Sequence, residues 1–215
     1  MPKKSPGQKP IPYKPKSKTD VDAESAVGLR IVGGKHGGRR LIYHGDKRVR
    51  PMKDRVREAV FNLLGVDPVG RQAIDLFGGT GALGLEAVSR GAVRALFVER
   101  HFPTANFLRD NIRSLEEEGR CRIETGDTFW WWNNARKIEG DEPWLTFVSP
   151  PYNLFHDNRQ PLMDLIASVL ELSPIGSVCV AEADVGFNVN LLPRAAEWET
   201  RDYPPARVSI HRKNA

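Results

Sequence analysis

The chain has 215 residues, 40% of them hydrophobic and 27% charged, with a formal net charge of +5. That suffices for one well-packed core with an appendage and is tight for two full domains. No stretch approaches the roughly 20 apolar residues of a membrane span, and the lysine-bearing start has no apolar segment behind it, so neither a membrane protein nor a secretory signal is expected. Cys121 and Cys179 stand apart without metal-ligand spacing; this points to a reducing, cytoplasmic compartment and to no metal site.

The charge is unevenly spread. Residues 1–18 hold six lysines and no acid, residues 30–57 hold ten Lys/Arg against Asp46 and Asp54, and residues 58–215 are net acidic. Positive charge concentrated in the first quarter of a chain is expected of a protein with a polyanionic partner.

Residues 1–28 are rich in Lys, Pro, Ser and Gly, with too few apolar side chains to offset their ordering entropy, and are expected to form a disordered tail. Residues 29–43, LRIVGGKHGGRRLIY, alternate apolar and basic positions around two Gly-Gly pairs and predict a β-hairpin. Beyond Arg50-Pro51, Val56, Val60, Leu63 and Leu64 recur at helical spacing with Asp54 near the start, which predicts an amphipathic helix. From residue 72 onward, apolar runs at 73–77, 95–100, 121–127, 144–149, 177–183 and 206–212 alternate with helical segments. Alternation of this kind predicts an α/β fold with a mainly parallel sheet covered on both faces.

Gly79-Thr80-Gly81-Ala82-Leu83-Gly84 matches G-x-G-x-x-G directly after a strand and before a helix. Glycines admit close backbone approach, and the helix N-terminus presents N–H groups to a ligand. Glu99 ends the next strand, where an acid accepts hydrogen bonds from ribose hydroxyls. A nicotinamide dehydrogenase would share these features. Asp75, at the end of the first strand, argues against a pyrophosphate beside it and for a ligand bearing an ammonium or sulfonium group. Asp127 ends the third strand and offers an acceptor to an adenine amine. S-adenosylmethionine carries the matching cation, hydroxyls and N6.

The fourth strand ends in Ser149-Pro150-Pro151-Tyr152. Methylating an exocyclic amine requires its N–H groups to be accepted so that the lone pair turns toward the methyl carbon. A proline pair fixes φ and removes competing donors, the preceding polar side chain adds an acceptor, and a tyrosine can stack on a flipped base. The alternative is a proline turn beside a core tyrosine.

The segments DLFGGTGALGLEA, FVER, TGD and SPPY resemble the motifs of amino-group methyltransferases. LRIVGGKHGGRRL followed by VRPMKDRVREAVFNLL is similar to the N-terminal signature of the RsmD family, the bacterial 16S rRNA guanine-N2 methyltransferases. The resemblance runs from Leu29 to the C-terminus. It implies a class I S-adenosylmethionine-dependent methyltransferase fold, Rossmann-like, with a mostly parallel seven-stranded sheet and an N-terminal basic hairpin/helix extension. Residues 29–70 would then be an RNA-contacting extension and residues 71–215 the catalytic domain.

The resemblance implies S-adenosyl-L-methionine bound by Asp75, Phe77, Gly79, Thr80, Gly81, Glu99, Arg100, Asp127 and Thr128. It implies a catalytic corner of Ser149, Pro150, Pro151 and Tyr152, and RNA contacts from Arg30, Lys35, Arg39, Arg40, Arg48, Arg50, Arg55 and Arg57. The expected partner is 16S rRNA or the assembling 30S particle, met by a monomer. Two segments depart from the family pattern: Ser149 stands where Asp is usual, and Met52-Lys53 replaces two threonines. Serine is a poor base and occurs at this position in cytosine-N4 DNA methyltransferases. A DNA amino-methyltransferase (cytosine-N4 or adenine-N6) and a catalytically weakened RNA-binding protein of the same fold therefore stand as alternatives. Of Trp130, Trp131 and Trp132, one or two are expected to pack against the sheet, since three adjacent positions cannot share a face.

Overall fold

The computed structural model describes residues 28–43, 52–157 and 159–214. The tail expected over residues 1–28 lies outside them but for Gly28, as do Arg48 and Arg50.

Seven strands form one sheet in the order β3-β2-β1-β4-β5-β7-β6. They are β1 (Gln72–Asp75), β2 (Arg94–Glu99), β3 (Cys121–Thr125), β4 (Trp144–Val148), β5 (Val178–Asp184), β6 (Trp198–Tyr203) and β7 (Ala206–Arg212). All neighbours are parallel except β7, which runs antiparallel to both β5 and β6. β1 and β4 are buried at every position, as expected of parallel strands covered on both faces.

Side-chain alternation divides the core. Ala73, Phe147 and Val180 pack with helices α1 (Asp54–Leu64), α2 (Ala82–Ser89) and α3 (Phe102–Ser114). Ile74, Val148 and Cys179 pack with α4 (Thr128–Asn134) and α5 (Arg159–Leu172). Trp131 and Trp132 fill the second layer, whereas Trp130 is exposed.

The segment 28–43 is less regular than the hairpin expected of it. It has one antiparallel bridge, Arg30 to Arg40, flanked by Ile31 N–H to Arg39 O at 2.8 Å and Leu41 N–H to Leu29 O at 2.9 Å. A 3-10 turn occupies Gly34–His36 at its tip. The body competes for the backbone that a longer ladder would use. Glu86 accepts the N–H groups of Val32 (2.6 Å) and Gly33 (2.8 Å), and Asn111 both accepts from Ile42 N–H (2.6 Å) and donates to its carbonyl (3.1 Å). Gly34, at φ +73°, lies so close to α2 that a Cβ would sit 2.0 Å from the Ser89 carbonyl oxygen.

Candidate active site

The carboxyl ends of β1 and β4 meet because the two strands pair in parallel with Asp75 opposite Phe147. Ser149 therefore follows two residues beyond the register partner of Asp75. Both lie on the sheet face that carries α2, whose N-terminus opens from Gly81.

Asp75 is 2% exposed; its Oδ2 accepts from Gly84 N–H at 3.4 Å, and its Oδ1 has no hydrogen-bond partner among the described residues. Burial pushes its carboxyl up to about 7, against the pull of the Gly84 and Phe77 N–H groups, and the Glu99 charge adds to the rise. A carboxylate held this way gains from a cation.

Gly79 and Gly81 adopt positive φ, +51° and +80°. At Gly81 a Cβ would lie 2.2 Å from Leu108 Cδ1 and the φ is left-handed, so the tight turn strains any other residue. The Thr80 carbonyl accepts from Asn111 Nδ2 at 3.0 Å, which ties the glycine loop to the same asparagine that holds Ile42. Glu99 accepts from Gly79 N–H at 2.8 Å and from His101 N–H at 2.7 Å, fixing its carboxylate across the loop.

Asp127 caps α4 by accepting from Trp130 N–H at 3.0 Å through Oδ1, and the Thr128 hydroxyl donates to the Leu76 carbonyl at 2.5 Å. Phe77 forms an edge-to-face pair with Phe129 at 6.2 Å, an apolar wall beside the loop, and Arg100 is exposed just past β2. The fit to S-adenosylmethionine is good: an orphaned buried carboxylate oxygen for a cationic group, a left-handed glycine turn for close approach, and acids at three successive strand ends.

At the β4 corner, Pro150 is buried and Pro151 exposed. The Pro151 carbonyl is taken by Leu154 N–H at 2.9 Å, whereas Pro150 O accepts no backbone hydrogen bond among the described residues. The Ser149 hydroxyl donates to Glu182 Oε2, and the Tyr152 hydroxyl donates to Glu182 Oε1 at 2.9 Å. Glu182, on β5, is 5% exposed. Sequence reasoning passed over it, although an acid inside the apolar run of β5 is a readable signal. His156 pairs with Asp184 at 2.6 Å at the exposed rim.

The basic residues of the extension divide. Arg30, Lys35, Arg39, Arg40 and Arg55 are exposed. Arg30 pairs with Asp54 (3.3 Å) and Lys35 with Glu117 (3.4 Å), while Arg39 donates to the Ser114 carbonyl. Arg40 and Arg55 have no ion pair among the described residues.

Arg57 corrects the expectation of an RNA contact. It is 0% exposed and spans Asp54 (2.9 Å), Glu86 (3.6 Å) and the carbonyls of Met52 and Arg30. At spacing i, i+3, i+4, i+7 it shares a face with Val60, Phe61 and Leu64, which carries it into the interior. His36 is buried against Glu117 at 2.6 Å. Burial opposes the Glu117 charge, but hydrogen bonds from Arg120 and His36, with the nearby Arg120 and Lys35 charges, hold its carboxyl at about 2. Among the described residues no group of three or more His, Cys, Asp or Glu is arranged to hold a metal ion, and no helix is long and apolar enough to cross a membrane.

An antiparallel β7 inserted between β5 and β6 departs from the 3-2-1-4-5-6 order of the dinucleotide-binding dehydrogenases. The sheet and the site together define a class I methyltransferase that uses S-adenosylmethionine. Residues 29–210 match the model of the family described as "Conserved hypothetical protein 95", and the chain belongs to this family, the RsmD family.

Among its relatives, "Ribosomal RNA small subunit methyltransferase D" of Escherichia coli is 36% identical over 66% of this chain and 67% of its own length. "Putative rRNA methyltransferase YlbH" of Bacillus subtilis is 32% identical over 73% of this chain and 83% of its own. The solved structure "Putative methyltransferase yhhF from Escherichia coli" superposes with a TM-score of 0.67 at 28% identity, covering 87% of this chain and 98% of that one.

Proposed function

We propose that this protein methylates the N2 amine of a guanine in small-subunit ribosomal RNA. The observation that carries the proposal is the adjacency of Asp75 and the Ser149–Tyr152 corner across paired strands, because it sets a cation-binding carboxylate next to acceptors suited to an exocyclic amine. The names of the relatives support an rRNA substrate.

Bound S-adenosylmethionine supplies the electrophilic methyl group. Asp75 would hold its cationic end, Glu99 and Asp127 would accept from the ribose hydroxyls and the adenine amine, and Phe77, Gly79, Thr80, Gly81, Arg100 and Thr128 would frame the pocket. Ser149 Oγ and the Pro150 carbonyl accept the N–H groups of the guanine amine, turning its lone pair toward the methyl carbon. The Tyr152 ring stacks on the flipped base. Catalysis on this reading is mostly positioning.

Residues 29–70 form the RNA-contacting extension, and residues 71–215 the catalytic domain. Arg30, Lys35, Arg39, Arg40 and Arg55 supply phosphate contacts, and Arg48 and Arg50, outside the described residues, extend the same basic run. The test is transfer of labelled methyl to unmethylated 16S rRNA and to 30S particles, with duplex DNA in parallel. Label entering DNA and neither RNA substrate would overturn the proposal.

A further inference from the structure

The residue before the proline pair is a serine, yet the corner contains a carboxylate. β4 and β5 are parallel, with Leu145, Thr146, Phe147 and Val148 opposite Val178, Cys179, Val180 and Ala181. One step further along this register places Ser149 beside Glu182, so their contact is built into the sheet. Glu182 takes the Ser149 hydroxyl on one oxygen and the Tyr152 hydroxyl on the other. A serine hydroxyl has one hydrogen and two acceptor lone pairs. With that hydrogen committed to Glu182, Ser149 can offer the incoming amine only lone pairs. A free hydroxyl could instead donate to the amine lone pair and block the reaction.

We propose that Glu182 is the carboxylate of this active site, a positioning residue that works through Ser149, fixing it as an acceptor and receiving the proton that methylation releases. The inference rests on the amine-methylation reading above. As the nitrogen–methyl bond forms, the carbon–sulfur electron pair leaves with sulfur and the amine nitrogen becomes cationic. One N–H proton passes to Ser149 Oγ as the serine's own hydrogen passes to Glu182. The nitrogen ends neutral and methylated, the serine is regenerated, and Glu182 is left as a carboxylic acid that returns its proton to water. Glu182 also pins the hydroxyl of Tyr152, so one buried side chain sets both the acceptor and the stacking ring.

The experiment compares wild type, Glu182→Gln, Ser149→Ala, Ser149→Asp and the Ser149→Asp/Glu182→Gln double variant. Methyl transfer to 16S rRNA is followed at saturating donor across pH 6 to 9, alongside S-adenosylhomocysteine affinity. Glu182→Gln should lower kcat about 100-fold, in the range of lost proton transfer, and change the pH dependence of kcat, since the proton acceptor is removed. S-adenosylhomocysteine affinity should stay within about threefold of wild type and KM for RNA should rise by no more than about tenfold, through the loosened Tyr152 ring, so that the loss falls mainly on kcat.

Ser149→Asp alone should be no faster than wild type, because two carboxylates then abut. Combined with Glu182→Gln it should recover at least about tenfold over either single variant, because one carboxylate is restored at the corner. A wild-type rate and pH profile in Glu182→Gln, or a double variant no faster than both singles, would overturn the inference. If wild type transfers no methyl to RNA, the substrate reading falls, while the pairing is still decided by stability. Urea midpoints of Ser149→Ala, Glu182→Gln and their combination should be non-additive; strict additivity would refute the pairing even then.

Discussion

Replacing Glu86 with alanine should detach the N-terminal extension from the catalytic body. Glu86 is 0% exposed and accepts from Val32 N–H (2.6 Å), Gly33 N–H (2.8 Å) and Arg90 Nε (2.7 Å), with Arg57 Nε at 3.6 Å. Its loss orphans two backbone donors, at about 1–3 kcal/mol each, and strips Arg57 of one of its two carboxylates. An uncompensated buried charge costs about 3–5 kcal/mol, but Asp54 remains at 2.9 Å, so the lower end applies. The sum is at least about 5 kcal/mol, a large share of the roughly 5–15 kcal/mol that holds a domain. For a domain of this size that lowers Tm by roughly 10–20 °C. Urea denaturation gives the energy, and amide exchange over residues 29–43 shows where it is lost. A loss under about 1 kcal/mol, with exchange in that segment unchanged, would refute the assignment of Glu86 as the anchor.

Asp75, with its carboxyl raised from 3.8 to about 7, binds more protons folded than unfolded between those values. The ligand-free protein should therefore lose stability as pH rises from about 4 to 7. A bound cation favours the ionised form, so S-adenosylmethionine affinity should rise with pH up to about 7, with proton release measurable by calorimetry in two buffers; Asp75→Asn should flatten both dependences. Gly81→Ala meets Leu108 Cδ1 and a left-handed φ; donor affinity should fall at least tenfold by titration while the far-ultraviolet circular dichroism stays native. Arg40→Ala and Arg55→Ala should each reduce the salt slope of RNA binding by about one, whereas Arg57→Ala should fail in thermal melts rather than in binding.

The parts of the fold that sequence made legible were those with strong local chemistry. The apolar runs of β1 and β4 and the glycine turn at residues 79–84 each carry their own signal. β6 does not: its sequence WETRDY is polar, and it lies at the sheet edge paired only with β7. The hairpin pattern at residues 29–43 was real, but it could not show that Glu86 and Asn111, more than 50 positions away, would take its backbone N–H groups.

Arg57 was misread because charge was weighed above helical spacing; its position relative to Val60, Phe61 and Leu64 already placed it inside. At the active site the acids and the proline corner were visible, and Ser149 looked like a deficit. The compensating Glu182 lies 33 residues further on, and only the β4–β5 register brings the two together.

The most direct measurement is nucleoside analysis of 16S rRNA after reaction with the protein and labelled S-adenosylmethionine. On the proposed reading label should appear in N2-methylguanosine, and be almost completely lost with Tyr152→Ala while S-adenosylhomocysteine still binds. Label confined to a methylated cytosine or adenine, or no transfer at all by a protein that binds the donor, would contradict it.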